Sequence, residues 1–276
     1  MPAVRRALCD EAERFLSEND DEARVRLGLQ HYDEGPSTFL QGYTVQVHNS
    51  ALLPDAEMYW VTEPMARLTM DASLDVPECD WSTAPQRSGV LAFAQPLPPT
   101  SVGQPISVIS WAITEDEGLL ITTTWSRTAP KSGRDLGRLT CEDIVVLTPG
   151  GNLDTLDEAS AALACFLASA WTLMAMPTLA SRERVIAPSV GRGVGRVRQV
   201  EQVTLVDLRP LRRVSTGGSD GQGRRYTHRW VVRGHWAHQP CGPGGSRRKL
   251  IYREPYIKGP EGAPLVTSER VMVWRR

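Results

Sequence analysis

From Ala159 to Ser181 the chain runs for 23 residues without a charged side chain. Such a stretch belongs either in a bilayer or in the interior of a folded domain. It is long enough to span a membrane, but Ala, Ser and Thr fill many positions and Pro177 stands near its end. Leu163, Phe166, Leu167, Leu173 and Met174 make a large apolar face, and Ala161, Ala164, Cys165, Ala168 and Ala175 make a small one. A helix covered on both faces inside a globular core fits this pattern better than a span does. Thr155-Leu-Asp-Glu158 reads as its capping box, with Pro177 and Pro188 closing it off. No membrane partner is expected.

Charge divides the chain at the end of this stretch. Residues 1–181 carry 11 Lys+Arg against 25 Asp+Glu, and residues 182–276 carry 20 against 7. The two nearly cancel in the overall net charge of −1. The division suggests an acidic α+β region, 1–181, and a basic, mostly antiparallel β region, 182–276, with the uncharged helix at their junction and one core open to both. Segments of opposite sign imply either a polyanionic partner for the basic one or pairing between the two. The opening residues, MPAVRRALCDEAERFL, lack the apolar centre of a secretory signal, and a cytoplasmic protein is the expectation.

Hydrophobic periodicity predicts the remaining elements. Val4, Leu8, Ala12 and Phe15 mark a helix over 3–16, and Asp20 or Asp21 would cap a second to about Gln30. Alternation predicts strands at Tyr43–His48, less clearly at Met65–Met70, and at Gly89–Ala94. Ile106–Ile113 and Leu119–Trp125 form a hairpin around the acidic turn Glu115-Asp116-Glu117. Further strands are expected at Ile144–Leu147, Val200–Leu208, Tyr226–Trp236, Lys249–Ile257 and Arg270–Trp274. The fold class is therefore α+β: antiparallel sheets, two N-terminal helices and one buried central helix. The histidines His31 and His48 and the tryptophans Trp60, Trp81, Trp111 and Trp125 read as packing or strand-face residues.

The motifs for cofactors and metals are weak. Five cysteines are scattered with no CxxC pair, which argues against a disulfide framework. His235-x-x-His238-x-x-Cys241 groups metal-ligand types but lacks a clear fourth ligand, so no metal is expected. The Gly-rich strings 191–196 and 241–245 match no phosphate loop, and HExxH does not occur. No cofactor is expected.

The chemistry concentrates in the last third. Read as one strand, Tyr226–Trp236 turns Tyr226, His228, Trp230, Val232 and Trp236 inward. Arg229, Arg233 and His235 then face outward, about 7 Å apart per two residues. Gly234 between them permits a bulge or the close approach of another group. Arg247, Arg248, Lys249 and Arg253 extend the same patch. Guanidinium groups bind phosphate bidentately, and a row of them releases counterions, so this set is the candidate nucleic-acid surface. Trp236, Tyr252 and Tyr256 would stack on bases if exposed. The alternative from another class is a metal-independent ribonuclease of toxin type, with His235 as general base, His238 as its partner and Arg229 and Arg233 stabilising the transition state. A third reading is a structural or interaction protein whose acidic and basic segments satisfy each other.

The run Arg229-Trp-Val-Val-Arg-Gly-His-Trp-Ala-His-Gln-Pro-Cys-Gly-Pro-Gly, followed by Tyr252, Pro255-Tyr-Ile-Lys-Gly-Pro-Glu and Pro264-Leu, carries a resemblance. It is similar to the C-terminal signature of an uncharacterised protein family of high-GC Gram-positive bacteria and their mobile elements. The resemblance covers the last third of the chain and implies a source class, a mobile element, without an activity.

Overall fold

The computed structural model describes residues 2–17, 51–98, 105–126, 139–147, 153–187, 201–209, 226–260 and 262–266. Its framework is a seven-stranded mixed sheet. In chain order the strands are β1 (Glu57–Val61), β2 (Ser88–Leu97), β3 (Ile106–Ile113), β4 (Leu119–Ser126), β5 (Leu139–Leu147), β6 (Ala180–Ala187) and β7 (Glu201–Leu208). Their order across the sheet is β5-β4-β3-β2-β1-β7-β6. β2 to β5 form an antiparallel meander, and β6 and β7 a second antiparallel pair. β1 lies between them and runs parallel to both β2 and β7. The expectation of purely antiparallel sheets is corrected here. Two parallel neighbours require crossovers, and each crossover contains a helix.

The first crossover is α2 (Glu63–Ser73), preceded in the chain by α1 (Pro2–Ser17). Thr62 is extended at the N-cap, Pro64 occupies the first turn, and Glu63 pairs with Arg67 one turn on. Met65, Ala66, Leu68, Thr69 and Ala72 are buried, which is helical spacing. The Met65–Met70 strand is therefore a helix, and the proline that starts it is the deciding signal. The second crossover contains α3 (Glu158–Met174), the uncharged helix. Asp157 is its N-cap: the carboxylate accepts from the Ser160 backbone N–H at 3.0 Å. The expected Thr155/Glu158 capping box is displaced, because residues 153–155 form a separate single turn. No helix among the described residues is long and apolar enough to cross a membrane.

α2 and α3 cover one face of the sheet. There, Tyr59, Leu91, Phe93, Ile109, Trp111, Ile121 and Val206 meet Met65, Leu68, Leu163, Phe166, Leu167 and Trp171 in the main core. On the opposite face Leu8 of α1 and Leu53 pack on Val90, Ala92 and Val108. β1 escaped the periodicity argument because its apolar residues point both ways: Met58 is buried on one face and Tyr59 and Val61 on the other, while the apolar Trp60 is exposed. The 1–181/182–276 division falls inside β6, and β6 and β7 belong to the same sheet as β1 to β5. The predicted helix to Gln30 and the strands at 43–48 and 270–274 lie outside the described residues.

Three aromatic rings tie the layers together. Trp111 stacks on Tyr59 with centroids 5.9 Å apart and meets Trp171 edge-on at 5.5 Å. Its indole N–H donates to the Gln86 carbonyl at 3.1 Å. The ring lies directly over Gly89 on the neighbouring strand, where a Cβ would come within 2.2 Å of it. Gly89→Ala should therefore destabilise the protein by about 1–3 kcal/mol through overpacking. A lower urea midpoint at unchanged slope is the expected result, and an unchanged midpoint would mean that the Trp111 ring shifts freely.

Candidate nucleic-acid interface

After β7, a three-stranded sheet and a two-stranded ribbon carry the basic residues. β8 (Arg229–Val232) lies between β11 (Tyr256–Lys258) and β12 (Leu265–Val266). The ribbon is β9 (His235–Cys241) paired antiparallel with β10 (Arg247–Arg253). The single strand expected over Tyr226–Trp236 is thus two strands in two sheets, broken at Arg233-Gly234. The cause is tertiary: the Tyr252 phenol lies against Gly234, and a Cβ there would fall 2.2 Å from its oxygen. The inward assignment of Tyr226 and His228 fails with the strand. Both are exposed, and both rings lean on Trp230, at 4.8 and 5.7 Å.

The ribbon is anchored at one end and free at the other. Tyr252 is buried in the main core, and Trp236 packs edge-on against it at 5.2 Å. The Trp236 indole N–H donates at 2.7 Å to the carbonyl of Ala72, in the last turn of α2. Beyond this anchor His238, Gln239, Pro240, Arg247, Arg248 and Lys249 are all exposed. The connecting turn, 242–246, needs left-handed backbone at Gly242, Gly244 and Gly245 (φ 77, 61 and 70°), which explains the glycine-rich string there. Trp236 and Tyr252 are therefore committed to packing, whereas Tyr256 is exposed.

The register sorts the predicted site residues. His235 is opposite Arg253, Gln239 opposite Lys249, and Cys241 opposite Arg247. Arg247, Lys249 and Arg253 thus share one ribbon face with His235, while Arg248 shares the other with His238. The two imidazoles leave β9 on opposite sides, and so do His238 and Cys241. His235 and His238 are not brought together as an acid–base pair. Arg229 and Arg233 fall outside the ribbon and have structural partners. Arg229 Nε donates at 2.7 Å to the Ala263 carbonyl, and Arg233 pairs with Asp75 at 3.4 Å. His235 Nδ1 lies 3.3 Å from the Arg233 carbonyl, a bond made when that nitrogen carries the proton.

Electrostatics separates two uses of arginine. Arg184 on β6 lies 3.7 Å from Glu57, whose carboxylate also accepts from the Tyr59 hydroxyl at 2.7 Å. Together with Arg233–Asp75, this joins the basic segment to the acidic one. Among the described residues, Arg247, Arg248, Lys249 and Arg253 have no ion-pair partner. The resulting class is an α+β protein with a seven-stranded mixed sheet from which a cationic two-stranded ribbon extends. No protein-family model matches the chain, and no curated protein matches it.

Burial pushes the Tyr252 phenol up to about 12, with the nearby Asp71 carboxylate adding to the effect. The neutral phenol is thus the form the fold holds, and its stabilising contribution is complete below the ordinary tyrosine value of about 10. It is lost as pH rises from there through 12. A spectrophotometric titration of wild type minus Tyr252→Phe should isolate one phenol ionising near 12. Ionisation near 10 would show that the ribbon is not docked.

Proposed function

We propose that this chain binds nucleic acid through the β9–β10 ribbon. The observation that carries the reading is the set of four exposed cations on β10, none of them in an ion pair among the described residues. Alternate residues on one strand place Arg247 and Lys249 roughly 7 Å apart on the same face. Exposed guanidinium and ammonium groups without an ion pair among the described residues need break none to bind phosphate. Arg forks add bidentate hydrogen bonds, and each phosphate neutralised releases a counterion. A two-stranded ribbon also fits the width of a duplex major groove. Arg229 and Arg233 support the ribbon's surroundings rather than contact phosphate. Two acidic residues, Glu57 on β1 and Asp75 just after α2, hold arginines of the basic segment. The mobile-element source implied by the C-terminal signature is compatible with a nucleic-acid ligand.

Fluorescence titration of a labelled duplex and a labelled single strand at several salt concentrations tests the reading. With three or four phosphates contacted, log affinity should fall against log salt with a slope of roughly −2 to −4. Lys249→Glu and Arg253→Glu should each weaken binding and flatten the slope by about 1 or more. Arg184→Ala, on β6 and paired with Glu57, should leave affinity unchanged. Absence of binding at low salt, or binding indifferent to salt, would overturn the proposal.

A further inference from the structure

The small sheet and the ribbon belong to one long hairpin, interrupted once. Val232 is opposite Tyr256 in the small sheet, and His235 is opposite Arg253 in the ribbon. Between these pairs each strand skips two residues, 233–234 and 254–255, so the register carries through the interruption. A ligand seated on the ribbon is therefore separated from the small sheet by two residues of each strand and by no loop.

One face of the small sheet is aromatic and open. Register and alternation put Trp230, Val232, Tyr256, Lys258 and Val266 on the same side. The half-buried Trp230 is the hub of this face. Tyr226 and His228 lean on its ring at 4.8 and 5.7 Å, and the Lys258 ammonium stands 6.0 Å from its centroid. Gly259 lets the 226–228 segment lie close, since a Cβ at 259 would fall 2.5 Å from the His228 carbonyl oxygen. Tyr226 and Tyr256 are left 41 and 49 % exposed, so their rings meet solvent rather than the core. None of these side chains is acidic, and Lys258 has no ion-pair partner among the described residues.

Contiguous exposed apolar side chains mark contact surfaces. Open rings bordered by a cation, without a carboxylate among them, suit a planar ligand that carries negative charge. We infer that this face stacks the unpaired bases of a single-stranded nucleic acid, on Tyr226 and Tyr256, while Lys258 and the cations of β10 take its phosphates. The inference rests on the nucleic-acid reading and narrows its ligand to a strand with free bases. In a duplex the neighbouring bases cover each base face, so a duplex meets the ribbon alone.

The test titrates the full chain at low salt with three labelled ligands. These are an unstructured single strand of roughly twelve nucleotides, an abasic strand of the same length and charge, and a duplex. Wild type should bind the intact single strand at least about tenfold tighter than the abasic one. Tyr226→Ala and Tyr256→Ala should each weaken single-strand binding roughly 5- to 100-fold and leave the abasic strand and the duplex unchanged. Tyr256→Phe keeps a ring and should keep the preference. Lys249→Glu, on the ribbon, should weaken all three ligands alike. Both tyrosines are exposed, so their variants should unfold at the wild-type temperature. Equal affinity of wild type for intact and abasic strands, with a steep salt slope, would overturn the stacking inference and leave the ribbon reading standing. A single-strand preference that survives both tyrosine substitutions would overturn it as well. Binding of none of the three ligands would overturn both readings together.

Discussion

The hydrogen bond from the Trp236 indole to the Ala72 carbonyl decides how the basic residues are displayed. The last carbonyls of a helix lack intrahelical donors and need them from elsewhere. At the end of α2, the Ala72 carbonyl accepts from the Asp75 backbone N–H at 3.4 Å and, at 2.7 Å, from a tryptophan of the ribbon whose ring closes over Tyr252. Tyr252 in turn lies on Gly234, the residue at which β8 gives way to β9. A side chain at 234 would push the phenol out of the core. Aromatic burial thus fixes one end of the ribbon, and the turn 242–246 leaves the other end in solvent. The cations of β10 owe their exposure to that asymmetry.

A division of labour among the arginines follows. Those near the sheet, Arg184 and Arg233, meet carboxylates of the acidic segment, and Arg229 ties a carbonyl across the small sheet. Exposed pairs of this kind contribute only about 0–1 kcal/mol each, so they position segments more than they stabilise them. Two of these pairs, Arg184–Glu57 and Arg233–Asp75, link the basic segment to the acidic one. The ribbon's distal cations stand outside that arrangement.

Much of the framework was legible in the sequence where period and length agreed. The uncharged stretch became α3, Ile106–Ile113 and Leu119–Trp125 became β3 and β4, and the acidic triplet became their turn. Failures trace to tertiary context. Met65–Met70 alternates by accident, and only Pro64 and the burial spacing mark it as helix. β1 carries apolar residues on both faces, even at the exposed Trp60, so no alternation betrays it. The Arg229/Arg233/His235 row assumed an unbroken strand, and Gly234 could be recognised as a place of close approach without revealing that Tyr252 would approach it.

Hydrogen exchange measured with and without a saturating duplex at low salt addresses the central claim most directly. The ribbon reading predicts added protection confined to residues 235–253, strongest over β10, with the seven-stranded sheet unchanged. Protection centred on β6 and β7, or none despite measurable binding, would contradict it.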